Sequence, residues 1–267
     1  MNTSIKYKED KLIKFLQALP APALAFSGGV DSALLLAACK EANVPVKVIT
    51  CSTPLVPAFE KEDTVRLAEE LNFEVNFLQL NPLHLPEFCA NDSKRCYHCK
   101  KFLFTAMQEK AKSLNCACLL DGANLDDLGD YRPGMQATKE LKVISPLLEC
   151  SFTKEDVRAL AEKYKLSIAK KPAYACLASR IAYGEAVTLE KLASVEKAED
   201  ALKALGLHDV RVRGHNNLAR VEVSQTEIEL AATKLRQQII NAVKEAGFTY
   251  VTIDLEGFRS GSMNINL

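Results

Sequence analysis

Two hundred and sixty-seven residues exceed one ordinary domain and fall short of two, so one large domain with a smaller appendage is expected. Lys and Arg total 34 against 34 Asp and Glu, which excludes a global basic field of the kind that gathers nucleic acid or anionic lipid. At 48% hydrophobic and 25% charged residues the composition is that of a folded protein, and nine cysteines, too sparse for a disulfide scaffold and odd in number, read as reduced thiols in a cytoplasmic protein.

Charges at Lys6, Lys8, Glu9, Asp10, Lys11 and Lys14 leave no room for the apolar stretch of a signal peptide. The run from Ala33 to Cys39 is far below the ~20 residues a membrane span needs, so no membrane association is expected. Residues 23–26 read as a short strand, followed by a glycine turn and a helix over 33–42. The β-branched run 46–51 predicts a second strand, 58–72 a helix with Val65, Ala68 and Leu71 on one face, and 73–80 a third strand. A proline-rich loop over 81–93, a helix over 100–114 and a buried strand over 116–121 follow. Strands separated by helices of this length predict βαβ crossovers, hence an α/β fold with a parallel sheet and helices on both faces.

From about Glu185 the pattern changes. A helix over 188–205, with Leu189, Leu192, Val195, Leu202 and Leu205 on one face, precedes strands at 209–213 and 218–223, a long helix at about 225–246 and a last strand at 249–254. The reading is a domain over 1–183 and a smaller α+β domain over 184–267. The small domain carries 10 basic and 12 acidic residues, leaving 24 and 22 in the rest, so neither part is a nucleic-acid surface.

The strongest local signal is Ser27-Gly28-Gly29-Val30-Asp31-Ser32, between the first strand and the first long helix. Two glycines permit a tight backbone turn, and the helix start offers unpaired N–H groups to a phosphate. Ser27 and Ser32 add hydroxyls, and Asp31 is placed to hold Mg²⁺ on a pyrophosphate. A capped helix start after a glycine turn is the simpler alternative. The hexapeptide resembles the signature loop of the ATP pyrophosphatase (PP-loop) superfamily, which cleaves ATP between its α and β phosphates, and it lacks the Gly-Lys-Ser/Thr ending of a Walker A loop. Asp121-Gly122-Ala123-Asn124, Ser145-Pro146-Leu147-Leu148 and the segment Thr153–Arg158 fit that pattern, which implies ATP and Mg²⁺ as cofactors and Gly122 in the nucleotide pocket.

Cys176 lies in the loop Lys171–Arg180, near the expected domain boundary, with Arg180 as a positive neighbour that favours a thiolate. Packing of a small residue in a linker is the alternative. Cys96-Tyr97-His98-Cys99 has the spacing of half a zinc site or of a redox pair, and Cys116-x-Cys118 would complete a zinc site only if the fold joined them. Cys39, Cys51, Cys89 and Cys150 read as small core hydrophobes.

The strings CLASR with Tyr183-Gly184, RCYHCK at 95–100, Arg211-Val212-Arg213, Leu218–Val223 and Gly257–Asn264 together resemble the LarE family, with matches spread over essentially the whole chain. The resemblance implies an ATP-dependent sacrificial sulfur transferase in nickel-pincer nucleotide synthesis for lactate racemase. Such a protein adenylylates a carboxylate of pyridinium-3,5-biscarboxylic acid mononucleotide, attacks it with its own cysteine, here Cys176, and releases a thiocarboxylate, leaving dehydroalanine. A family member is also expected to form a homo-oligomer. The base that takes the Cα proton is not identified by sequence. Glu199 and Glu222 are candidates in the substrate region, against a solvated helix carboxylate and a strand-end salt bridge. Arg211 and Arg213 alternate with valines and so share a face able to grip a phosphate, and Arg180 and Arg259 are weaker candidates for the same anion site. The rival readings are a tRNA thiolase using Cys176 with an external sulfur donor, and a nucleotide-binding sensor without turnover.

Overall fold

The computed structural model describes residues 3–129, 133–172 and 174–259, so the stretch from Ser260 to Asn264 lies outside the described residues. In chain order the regular elements are α1 (Thr3–Gln17), β1 (Pro22–Ala25), α2 (Val30–Glu41), β2 (Lys47–Ser52), α3 (Ala58–Glu70), β3 (Val75–Gln79), α4 (Pro86–Cys89), α5 (Arg95–Ser113) and β4 (Cys118–Leu120). They continue as α6 (Pro133–Glu140), α7 (Pro146–Glu149), α8 (Lys154–Lys163), α9 (Leu189–Ala204), β5 (Arg211–His215), β6 (Leu218–Glu222), α10 (Ile228–Ala232), α11 (Arg236–Glu245) and β7 (Tyr250–Ile253). The chain folds as two compact units. One holds Met1–Thr53, Ala58–Pro82 and Cys96–Tyr174; the other holds Pro54–Pro57, Leu83–Arg95 and Ala175–Leu267.

The first unit is α/β, built on a parallel sheet of order β3-β2-β1-β4. Side-chain alternation sends Leu24, Val48 and Leu120 into a core with α1, α2, α7 and α8. Ala23, Ala25, Ile49 and Leu119 point the other way, against Phe104, Met107 and Ala111 of α5. Helices therefore cover both faces, and α2 is buried almost all round, from Val30 to Cys39 apart from Asp31. The chain leaves β1 toward β2 and β3, then returns to place β4 on the far side of β1. The carboxyl ends of β1 and β4 thus form the switch point at which open α/β sheets bind ligands.

The second unit is α+β. β5 and β6 are antiparallel and β6 and β7 parallel. Val212, Ala219 and Val221 are buried in this sheet, as are Leu192, Val195, Ala198 and Leu202 of α9 and Ile239 and Val243 of α11. Among the described residues no helix is long and apolar enough to cross a membrane.

Several expected details change. Val65 is exposed, because Thr64, Leu67 and Ala68 form the buried face of α3. Leu189 is likewise exposed in the first turn of α9. The expected single helix over 225–246 is broken: Thr233 leaves helical geometry (φ −116°, ψ −82°) and α11 restarts at Arg236. The loop over 81–93 contains the short helix α4, with Pro86 in its first turn where a missing N–H costs nothing. Finally, α5 starts five residues earlier than expected. The Asp92 side chain accepts from the Lys94 N–H at 2.7 Å and its carbonyl from the Arg95 N–H at 3.1 Å, a turn that launches the helix from a polar run.

Candidate active site: a phosphate loop and a clamped cysteine

In the first unit, β1 runs into the Ser27–Ser32 loop and α2. Gly28 has φ +72°, and a Cβ there would lie 2.2 Å from Thr64 Oγ1, so the turn excludes any side chain. Gly29 is the N-cap of α2 and brings no side-chain acceptor to the helix start. Ser27 and Ser32 hydroxyls stand 3.3 Å apart, and the Ser32 hydroxyl donates to the Gly29 carbonyl at 3.0 Å. Gly122, just past β4, abuts this loop: a Cβ on it would lie 3.1 Å from the Asp31 Cβ and 3.1 Å from the Ser32 nitrogen. The site thus pairs bare backbone, two hydroxyls and one carboxylate at a helix N-terminus. A polyphosphate suits the first two, and the Asp31 carboxylate suits a divalent cation.

Two residues absent from the expected set hold that carboxylate. Asn124 Nδ2 donates to Asp31 Oδ1 at 2.9 Å, and Lys154 Nζ lies 2.5 Å from Oδ2. Asp121 is fixed by the Ser145 hydroxyl at 2.6 Å, so both strand-end segments singled out in the sequence meet beneath the loop. The signal for Lys154 lay in its Thr153–Arg158 segment, but its partner is 123 residues away.

In the second unit, Cys176 is half-buried and precedes a single 3-10 turn, Leu177–Arg180. Its carbonyl accepts from the Ser179 N–H at 3.0 Å and the Ser179 hydroxyl at 2.8 Å. Arg180 is fully buried. Its Nη1 donates to the Ala175 carbonyl at 2.7 Å and its Nε to Glu199 Oε1 at 2.9 Å. The guanidinium charge is therefore matched by Glu199, and what Arg180 contributes to Cys176 is a pinned backbone. The solvated reading of Glu199 is corrected: the carboxylate is 1% exposed and also accepts from the Val212 N–H at 3.0 Å. Leu177 N–H donates to the Leu55 carbonyl at 2.9 Å, and Arg95 Nη1 to the Ala178 carbonyl at 2.9 Å, so the whole strap is held.

Arg211, Arg213, Arg220 and Glu222 share one face of the small sheet, since Arg211 pairs with Glu222 and Arg213 with Arg220 in the ladder. Glu222 ends β6 and forms the strand-end salt bridge expected of it, in a fully buried setting. It receives Arg213 Nε at 3.0 Å and Arg220 Nη2 at 3.1 Å. Arg213 Nη1 also donates to the Ser179 carbonyl at 3.2 Å, a further clamp on the cysteine strap beside those of Arg180 and Arg95. Arg211 donates to the Val210 carbonyl at 2.7 Å and stacks 4.8 Å from the Phe258 ring centre. Arg259 pairs with Glu256 and, at 3.9 Å, with Asp254. Beside them His215 keeps a buried Nε2 without a hydrogen-bond partner, and burial, reinforced by Arg220, holds its pKa below the usual histidine value.

The remaining thiols divide by environment. Burial pushes Cys39 and Cys51 up to about 12 and also raises Cys89, Cys116, Cys118 and Cys150, which disfavours their thiolates. Cys96 and Cys99 lie on the first turns of α5. Among the described residues no group of three His, Cys, Asp or Glu side chains is arranged to hold a metal, so Cys116 and Cys118 do not complete a zinc site with them.

No family model matches the chain. It is 35% identical over 262 residues, 97% of its length and 95% of the relative's, to the pyridinium-3,5-bisthiocarboxylic acid mononucleotide synthase of Lactiplantibacillus plantarum. It is also 37% identical to an uncharacterized protein of Synechocystis sp., over 97% of this chain and 98% of that one. An uncharacterized protein of Methanocaldococcus jannaschii is 29% identical, over 97% and 95%. With 35% identity over 97% of its length to that synthase, the chain belongs to the LarE family, and its α/β unit is a PP-loop fold.

Proposed function

We propose that this protein is an ATP-dependent sulfur transferase that converts a carboxylate of pyridinium-3,5-biscarboxylic acid mononucleotide into a thiocarboxylate, with the sulfur of its own Cys176. The observation that carries this reading is the 35% identity, over 97% of the chain, to a synthase named for the bisthiocarboxylic acid product. The phosphate loop and the held Cys176 strap support it. In the first step the substrate carboxylate attacks the α-phosphorus of ATP, giving an acyl adenylate and pyrophosphate. The Ser27–Ser32 loop and the α2 N-terminus receive the phosphates. Bound Mg²⁺, with Asp31 as its protein ligand, would supply charge neutralisation there. The Cys176 thiolate then attacks the acyl carbon, forming a thioester and releasing AMP. Removal of the Cys176 Cα proton sends its electron pair into a new Cα–Cβ double bond as the Cβ–S bond breaks. The thiocarboxylate leaves with the sulfur, and residue 176 becomes dehydroalanine. No oxidant or reductant is needed.

The clamped strap has a mechanistic use in this scheme. Elimination from Cys176 requires its Cα–H and Cβ–S bonds to keep a set orientation, and bonds from Arg180 to the Ala175 carbonyl and from Ser179 to the Cys176 carbonyl fix the backbone on either side. The physiological setting follows from the product: nickel-pincer nucleotide synthesis for lactate racemase, in the cytoplasm. The test is intact-protein mass after incubation with ATP, Mg²⁺ and the biscarboxylate mononucleotide. A loss equal to hydrogen sulfide, mapped to residue 176, is expected, and Cys176→Ala should keep pyrophosphate release while losing sulfur transfer. Thiolated product with an unchanged protein mass would refute the sacrificial step.

A further inference from the structure

Lys154 is the first residue of α8, where a cation is opposed by the positive end of the helix dipole. The position is nonetheless built with care. Thr153 and Asp156 form a reciprocal capping box, and the Lys154 N–H donates to Asp126 Oδ2 at 2.7 Å. The Lys154 ammonium then spans to Asp31 Oδ2, while Asn124 occupies Oδ1. Both oxygens of the carboxylate placed for a divalent cation are thus engaged by protein donors, one of them charged. A cation approaching Asp31 has to compete with that ammonium, and the ammonium it displaces is left beside two helix N-termini, where an anion is the only favourable partner.

We propose that Lys154 is an exchangeable counter-cation. It neutralises Asp31 in the nucleotide-free loop and passes to the pyrophosphate oxygens of bound ATP when a divalent cation takes Asp31. The inference rests on the ATP reading above and deepens it, because metal and polyphosphate would then bind the loop cooperatively: each removes one partner of the Asp31–Lys154 pair and frees the other.

The test uses two simple probes on the full chain: Mn²⁺ alone, by the resonance signal of free Mn²⁺, and inorganic pyrophosphate, by titration calorimetry. Lys154→Gln should bind Mn²⁺ at least threefold more tightly than wild type, because no ammonium competes, and Mg²⁺-pyrophosphate at least tenfold more weakly. Asp31→Asn should bind metal-free pyrophosphate at least threefold more tightly than wild type, because its lysine is released, and it decides the matter if Lys154→Gln fails to fold. A lysine that merely braces the loop predicts parallel losses for both probes in Lys154→Gln and no gain in Asp31→Asn, and either result overturns the proposal. A wild-type protein that binds neither ATP nor pyrophosphate refutes the nucleotide reading and this inference together; a wild type that binds both while the variants show parallel losses refutes the inference alone.

Discussion

Replacing Glu199 by Gln tests the buried pair that braces the cysteine strap. The substitution keeps shape and volume, so no cavity term enters, and it removes one charge. Arg180 and Glu199 are 0% and 1% exposed, and their contacts are 2.9 Å (Nε to Oε1) and 3.4 Å (Nη2 to Oε2). With the carboxylate gone the buried guanidinium loses the charge of Glu199, a loss of about 3–5 kcal/mol. A solvent-exposed pair would cost only ~0–1 kcal/mol, so the two cases separate cleanly. The Gln oxygen can still accept from the Val212 N–H and Arg180 Nε, while its amide nitrogen faces Arg180 Nη2, so the loss comprises the charge and the Nη2 contact. Urea denaturation followed by far-UV circular dichroism gives the stability change. In a cycle with Arg180→Met the coupling energy should reach ~2–3 kcal/mol. Because Arg180 also holds the Ala175 carbonyl, alkylation of Cys176 by iodoacetamide should accelerate in Glu199→Gln. A stability loss under about 1 kcal/mol would refute the reasoning, since it would place the pair in the solvent-screened class.

Gly28→Ala should destabilise the first unit by about 2–5 kcal/mol, from the positive φ and from overpacking against Thr64. The Thr64 hydroxyl is tied to the Glu60 carbonyl at 2.7 Å and cannot simply swing away. Thermal melts check this, and a Thr64→Ala background should recover part of the loss. A second expectation concerns acid. Burial opposes ionisation of Asp156, but the Lys8 ammonium and the Thr153 cap outweigh it and lower its pKa. A depressed folded-state pKa adds stability that is fully present above the unfolded value of about 3.9 and is lost as pH falls through the folded one. The thermal midpoint of Asp156→Asn should therefore lie below wild type at pH 7, with the gap closing as melts are repeated below about pH 4; a gap that stays constant with pH would contradict the assignment.

Legibility in the sequence followed the range of the interaction involved. The Ser27–Ser32 loop is a local object, in which glycines, hydroxyls and a helix start act within six residues, so its glycine turn and helix start could be read directly. The α/β alternation was equally local. The failures have the same origin seen from the other side. Val65 and Leu189 satisfy helical periodicity, yet which stripe of an amphipathic helix is covered depends on what packs there. The start of α5 depended on an Asp92 turn that composition alone reads as loop.

The charged residues mark the division most sharply. Sequence alone identified Arg180, Arg211, Arg213, Glu199 and Glu222 as unusual, put Arg211 and Arg213 on one strand face, and singled out Cys176 among nine thiols. It also picked out the segments that carry Lys154 and Asn124. The tertiary structure decided the pairing: Arg180 with Glu199, Arg213 with Glu222, and Lys154 with Asp31 across 123 residues. Backbone propensity acts over a few residues and is written in their order. An ion pair depends on a separation near 3 Å, set by strands and helices that meet only after folding, so no spacing along the chain can state it.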